Sequence, residues 1–214
     1  MKHDFIVVEG NIGAGKTSLV TTMAHENQAK LVLEQFADNP FLPKFYENPE
    51  RYSFPLELSF LAERYHQLLN ELSGKGLFNK FIIADYYFMK SLIFAQNTLP
   101  DDLYKLYRQI FFIIYQSLPK PDLYVYLHRN VDNLMKNIKK RGRDYEQNIS
   151  PEYLEKIQKG YFDFFRQTPE LTFLIIDTNK LDYVNNPEHY KQITEYILEG
   201  DYSLGLNRII PLIW

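Results

Sequence analysis

The sequence predicts an α/β fold: a five-stranded parallel sheet with helices on both faces. Three observations predict it. Five short apolar runs alternate with longer stretches of helical periodicity, the pattern of parallel strands joined by helical crossovers. The first run leads straight into a glycine-rich turn that opens a helix. Two carboxylates, Glu34 and Asp85, close the second and third runs, where an open parallel sheet places its ligands.

The elements follow in order. Phe5-Ile6-Val7-Val8 is a β-branched run ended by Glu9-Gly10 and reads as a buried strand. A helix is expected from Thr17 to about Glu26, and a second strand over Leu31–Leu33. After the punctuation of Asn39-Pro40 and Leu42-Pro43, a short helix covers Pro43–Tyr46. A longer one follows Pro55, runs through Leu72 and stops at Ser73-Gly74-Lys75-Gly76. Phe81–Ala84 is the third strand. Leu103–Leu118 is an amphipathic helix ended by Pro119 and Pro121, and Leu123–Leu127 is the fourth strand. Val131–Lys140 is helical. Ser150-Pro151, an N-cap followed by proline in the first helical position, opens a helix to about Gln167. Phe173–Ile176 is the fifth strand, and a last helix follows Pro187. No repeat or linker marks a second domain, so residues 1–205 read as one domain. Residues 206–214 read as an apolar tail (Ile209, Ile210, Leu212, Ile213, Trp214) packing on the domain or on a partner chain.

Composition narrows the function classes. A chain of 214 residues with 45% apolar content can bury a proper core. There is no cysteine, which excludes disulfides and thiolate zinc sites and suits a reducing compartment. A net charge of −3 argues against nucleic acid binding over the whole surface. The longest apolar runs are too short to span a bilayer, and Met1-Lys2-His3-Asp4 runs into a strand without the pattern of a signal peptide. The expectation is a soluble cytoplasmic protein with neither membrane nor nucleic acid as partner.

Gly10-Asn11-Ile12-Gly13-Ala14-Gly15-Lys16-Thr17 has the Gly-x4-Gly-Lys-Thr spacing of a phosphate loop. Glycines let successive N–H groups converge on one phosphate, and the helix that follows adds its positive end. Lys16 supplies a mobile charge for the outer phosphates, the Thr17 hydroxyl a ligand for Mg2+, and Ser18 continues the same turn. The chemistry is the binding of a nucleoside triphosphate, ATP by expectation. Asn179-Lys180-Leu181-Asp182 has the form of a guanine-reading loop, but the third strand continues Asp85-Tyr86-Tyr87-Phe88 without the glycine of a GTPase switch. That loop, Asp182 in particular, is instead a candidate for contact with the donor base. Asp85 is assigned to Mg2+ with Thr17 and to the lining of the acceptor side. Glu34 is assigned to the acceptor hydroxyl, as general base or positioner.

At this point the chain resembles the deoxynucleoside kinases of the bacterial type, their deoxycytidine and deoxyguanosine kinase branches most recognisably. The matching segments are Gly10–Thr17, Tyr46-Glu47-Asn48-Pro49-Glu50-Arg51-Tyr52-Ser53-Phe54, Ile93-Phe94-Ala95, and Arg141-Gly142-Arg143-Asp144-Tyr145-Glu146-Gln147 with Glu152-Tyr153-Leu154-Glu155-Lys156. The resemblance implies 5′-phosphorylation of a deoxyribonucleoside by ATP and Mg2+, and a homodimer. It implies that Glu34 is the catalytic carboxylate, that Tyr46 and Glu146 hold the sugar 3′-hydroxyl, and that Phe94 packs on the base. It further implies that Arg64 reads the base, and that Arg141 and Arg143 belong to a short lid over the donor phosphates.

Two positions depart from the family. Where it often has Glu-Arg-Ser after the third strand, this chain has Asp85-Tyr86-Tyr87, so either Tyr86 or the nearby Lys90 replaces the arginine or the lid does more. Glu57 stands where the family has a glutamine that pairs with the base edge. An ionised glutamate only accepts, and guanine alone offers two adjacent donors on that edge, so a preference for purines and for deoxyguanosine among them is expected. The rival is a nucleoside monophosphate kinase resembling thymidylate kinase. It needs arginines for the acceptor phosphate, and Lys44, Arg51, Arg64 and His66 are a thin supply. A non-catalytic nucleotide switch is the other class, and it would need no Glu34.

Overall fold

The structure is a computed structural model that describes residues 2–35, 39–73, 79–143, 146 and 149–211, and of Tyr46 only the backbone. The chain divides into two units. One comprises residues 1–33, 75–85 and 121–214, the other residues 34–74 and 86–120.

The first unit holds the sheet. Its strands are β1 (Phe5–Gly10), β2 (Lys30–Val32), β3 (Ile82–Ala84), β4 (Leu123–His128), β5 (Thr172–Asp177) and β6 (Gly205–Ile209). They pair in the order β2-β3-β1-β4-β5-β6, every pair parallel. The sheet therefore has six strands where the sequence pattern predicts five. β6 is not marked by the sequence pattern because Leu206-Asn207-Arg208-Ile209 is neither a continuous apolar run nor a strict apolar–polar alternation; as an edge strand it alternates half-buried and exposed positions, inside what reads as a tail. Residues 212–214 of that expected tail lie outside the described residues.

β1 is buried throughout and β4 and β5 are buried but for their end residues, as parallel sheets require. One apolar cluster packs Ile6, Val8, Val125 and Leu174 of the sheet with Leu19, Val20 and Met23 of α1 (Lys16–Asn27), Leu134 and Ile138 of α6 (Val131–Arg141), and Ile193 and Ile197 of α8 (Pro187–Glu199). Alternate strand residues point the other way. There Tyr124, Tyr126 and Phe173 meet an aromatic set on α7 (Pro151–Gln167), with the Phe165 ring centre 4.6 Å from that of Phe173 at a tilt of 36° and that of Tyr161 5.0 Å from that of Tyr126. The high aromatic content is thus largely core. α7 starts as expected, with Ser150 accepting from the Tyr153 N–H.

The second unit is helical: α2 (Leu42–Glu47), α3 (Pro49–Leu72), α4 (Met89–Thr98) and α5 (Asp101–Tyr115). α3 begins before Pro55 and runs through it. Asn48 caps it by accepting from the Arg51 N–H, and Pro49 sits in the first turn, so the true start signal lies seven residues before the sequence-based one. α4 was not predicted: its N-cap position is Phe88, which makes no side-chain cap. Among the described residues no helix is long and apolar enough to cross a membrane.

Candidate active site

In the first unit, the phosphate loop leaves β1 at its C-terminal end and turns into α1. Gly13 and Gly15 take φ of 81° and 89°, a region that L side chains avoid. A Cβ on Gly15 would lie 2.3 Å from the Tyr183 hydroxyl, and one on Gly13 would lie 2.9 Å from the Leu134 carbonyl oxygen. These glycines are thus required by packing as well as by the turn. The first turn of α1 carries no acid and no side-chain cap, which leaves its positive end uncompensated. Ser18 lies in that turn, exposed.

Three side chains turn the loop's polar groups. Asn137 donates to the Gly13 carbonyl oxygen at 2.8 Å, and the buried Tyr183 hydroxyl donates to that of Ala14 at 2.5 Å. Asn11 donates to the Leu154 carbonyl oxygen at 2.7 Å, which ties the loop to the start of α7. With these carbonyl oxygens drawn outward, the alternating peptide geometry favours N–H groups on the inner side. None of these braces was predicted, since each partner lies more than a hundred residues away in sequence. Lys16 Nζ bonds the Gly10 and Asn11 carbonyl oxygens at 2.9 and 3.0 Å.

Asp85 directly follows β3, the parallel neighbour of β1, with Val7 opposite Ala84. That register brings Asp85 to the loop's edge of the sheet, where the Thr17 hydroxyl donates to its Oδ2 at 2.5 Å. An alcohol and a carboxylate side by side are hard oxygen ligands of the kind Mg2+ takes when phosphates and water complete its shell.

At the C-terminal end of α6, Arg141 Nε donates to Glu146 Oε2 at 3.0 Å and its Nη2 also bonds that oxygen, while Arg143, two residues on, reaches Oε1 at 3.4 Å. Glu146 is buried and both arginines are partly exposed. The structure thus gathers the two expected lid arginines on the glutamate expected to hold the sugar. The rest of the lid segment, 144–145 and 147–148, lies outside the described residues. In the loop after β5, Asn179 is taken up within the fold: its Oδ1 accepts from the Asn130 N–H at 2.7 Å and its Nδ2 donates to Asp177 at 2.9 Å. Asp182 is exposed and accepts from Asn185, whose hydrogen bonds are the main cause that keeps its carboxyl below the usual range.

In the second unit, Glu34 sits in a buried ionic cluster. Arg64 of α3 grips its Oε1 through Nε at 3.0 Å and Nη2 at 2.7 Å, and Lys90 of α4 bonds Oε2. Arg64 Nη1 donates to the Ser91 hydroxyl at 2.8 Å. Burial by itself would raise the Glu34 carboxyl, but the Lys90 charge and then that of Arg64, with their hydrogen bonds, outweigh it and bring the pKa to about 2. Of the two expected substitutes for the family arginine, Lys90 is the one on Glu34. The Tyr86 hydroxyl donates to Gln67 Oε1 at 2.6 Å.

Glu57 is buried on α3, seven residues before Arg64. Its Oε2 has no hydrogen-bond partner among the described residues, and the Thr98 hydroxyl reaches the carboxyl. Burial raises this carboxyl to about 7 against the opposing pull of Arg64 and Thr98. Phe94 lies one turn before Thr98 on α4, half-buried, with Lys90 Nζ 5.4 Å from its ring centre. Glu34, Arg64, Lys90, Glu57 and Phe94 are thus gathered in the second unit. The side chain of Tyr46, expected beside the sugar, is not among those described.

A glycine loop, its lysine and a Thr–Asp pair at the C-terminal edge of a parallel sheet define a P-loop phosphotransferase. The chain belongs to the deoxynucleoside kinase family, whose model matches residues 6–199. It is 36% identical to a deoxyguanosine kinase of Bacillus subtilis, over 91% of this chain and 96% of that one. It is 31% identical to a deoxyadenosine/deoxycytidine kinase of the same organism, over 88% and 90% of the two chains. Among solved structures, deoxyadenosine kinase from M. mycoides with bound dCTP aligns with a TM-score of 0.75 at 24% identity, over 91% of this chain and 99% of that one. The protein is a deoxynucleoside kinase with the fold expected of a P-loop kinase.

Proposed function

We propose that the protein transfers the γ-phosphoryl group of ATP to the 5′-hydroxyl of purine deoxynucleosides, deoxyguanosine before the others. The observation that carries the acceptor assignment is the Glu34 cluster. A carboxylate held ionised by Lys90 and Arg64 is a strong acceptor for a hydroxyl proton and a weak base at rest. It orients the 5′-oxygen for attack and takes the proton only as that oxygen bonds to phosphorus, which is the positioning that phosphoryl transfer needs.

The donor triphosphate is held by the loop N–H groups, the positive end of α1 and Lys16. Thr17 and Asp85 would hold Mg2+, which neutralises charge on the phosphate oxygens when bound. Arg141 and Arg143 would leave Glu146 in part to meet the transferring phosphoryl oxygens, and Glu146 would then be available to the sugar. Phe94 supplies an aromatic face for the base, and Glu57 an edge of acceptors that suits the guanine N1–H and exocyclic amine. The likeness to a deoxyguanosine kinase supports the same preference. Arg64, with three N–H groups on Glu34 and Ser91, serves first to hold the catalytic carboxylate.

A monophosphate acceptor is disfavoured by the same contacts. Arg64 is engaged by Glu34, and Arg51 and Lys44 lie over Tyr52 and Phe41. Competition of the four deoxynucleosides in one reaction, with their monophosphates run separately, tests the assignment. Deoxyguanosine should be consumed first, and preferential turnover of a monophosphate or of thymidine would overturn it. We also place a homodimer contact on α5, where Phe111 is core but Ile113 is 74% exposed beside Phe112 and Leu106. Ile113→Glu should turn a dimeric scattering mass into a monomeric one, and an unchanged dimer would reject that face.

A further inference from the structure

We propose that Glu57 sorts purine deoxynucleosides by its own proton: the carboxylate takes deoxyguanosine and the carboxylic acid takes deoxyadenosine. The inference rests on the reading that Glu57 meets the base edge, and adds a control over which purine is chosen. It begins from a buried carboxyl whose Oε2 has no partner among the described residues. Such an oxygen is costly to leave unpaired, so it is a position a ligand can repay.

The two forms have different hydrogen-bond grammar. The ionised group offers acceptors alone and matches the adjacent N1–H and N2–H donors of guanine. The protonated group offers one donor and one acceptor, as glutamine does, and matches adenine, which accepts at N1 and donates from its amine. Each form also leaves the wrong base with an unpaired polar atom in a buried place, and this mismatch sets the discrimination.

The surroundings admit both forms. Among the described residues, the charged and titratable groups that face Glu57 are Arg64 on its own helix and the Tyr107 phenol of α5. Arg64 does not fix the charge of Glu57, because its guanidinium is already paired with Glu34. Tyr107 stays neutral, its phenol raised chiefly by burial, and its hydroxyl donates to the Glu57 main-chain oxygen at 3.3 Å. From α4 the facing group is the Thr98 hydroxyl, which also donates to the Phe94 carbonyl oxygen at 2.9 Å. A hydroxyl rotates, so it can donate to a carboxylate or accept from an acid. Burial, which raises this carboxyl to about 7, places both forms within the working range.

The test is the ratio of kcat/KM for deoxyguanosine to that for deoxyadenosine, measured from about pH 6 to about pH 8.5 on the full chain. If each base binds one form only, the ratio rises towards about tenfold per pH unit wherever the pKa lies, because it follows the ratio of carboxylate to acid. Effects of pH on the chemical step or on ATP cancel in the ratio. Glu57→Gln should give a ratio that is flat with pH and shifted towards deoxyadenosine by about tenfold or more. A wild-type ratio that moves less than twofold, with Glu57→Gln still shifting it, refutes the proton switch and leaves Glu57 at the base. A ratio left unchanged by Glu57→Gln refutes the underlying placement itself. The wild-type profile needs no variant and so stands even if Glu57→Gln folds poorly.

Discussion

Glu57→Gln is expected to stabilise the protein, and mainly where Glu57 would otherwise be ionised. The carboxyl moves from 4.5 in the unfolded chain to about 7 in the folded one, because burial penalises its charge. The sign follows from linkage. A carboxyl whose folded pKa is raised binds its proton more tightly in the folded state, so stability falls as pH climbs from 4.5 towards 7. The full loss is about 3 kcal/mol, of which about 1 kcal/mol is already spent at about pH 5. Glutamine has the same shape and no charge, so it escapes this loss. Against a total stability of about 5–15 kcal/mol the difference is measurable. Urea unfolding of both proteins at about pH 5 and about pH 8 reads it. Any fixed effect of the amide cancels between the two pH values, and the gap in favour of Glu57→Gln should widen by about 2–3 kcal/mol, or about 1 M in midpoint. An equal gap at both pH values, or a larger one at about pH 5, would refute the reasoning that burial controls this group.

Three further outcomes are expected. Tyr183→Phe removes the hydroxyl from the Ala14 carbonyl oxygen and should raise KM for ATP about five- to tenfold while KM for the deoxynucleoside stays constant; an equal rise in both would show general loosening. If Asp85 holds Mg2+ as proposed, Asp85→Asn should raise the Mg2+ concentration for half-maximal rate by about tenfold or more, and an unchanged requirement would remove Asp85 from the metal. Lys90→Met takes one cation from Glu34, so the acid limb of the pH–rate profile should move upward; a fixed limb would mean that Lys90 does not set the Glu34 charge.

The donor half of this enzyme was legible because its parts are contiguous or tied to a periodic pattern. Gly10–Thr17 is one uninterrupted motif, and its place between a strand and a helix follows from local residue types. Asp85 could be placed beside it because parallel strand ends share an edge, and the register of Val7 with Ala84 agrees. Boundaries were less legible where signals compete. Pro55 looked like a start and is interior to α3, while the real cap, Asn48 followed by Pro49, is a quieter signal.

What stayed hidden is every pairing between residues far apart in the chain. Sequence marks Glu34 as an acid after a strand, but its charge state depends on Lys90, 56 residues on, and on a helix that no capping residue announced. The same holds for Tyr183 and Asn137 on the phosphate loop, and for Arg141 and Arg143 gathered on Glu146. Residue types and spacing determined the class of protein: a parallel sheet, a phosphate loop and carboxylates at strand ends. The tertiary structure alone decided which carboxylate is held ionised and which is left, among the described residues, with an unpartnered oxygen. The reason is physical. Desolvation and neighbouring charge set a pKa, and both are properties of where side chains meet in space, which the local sequence around Glu34 and Glu57 does not carry.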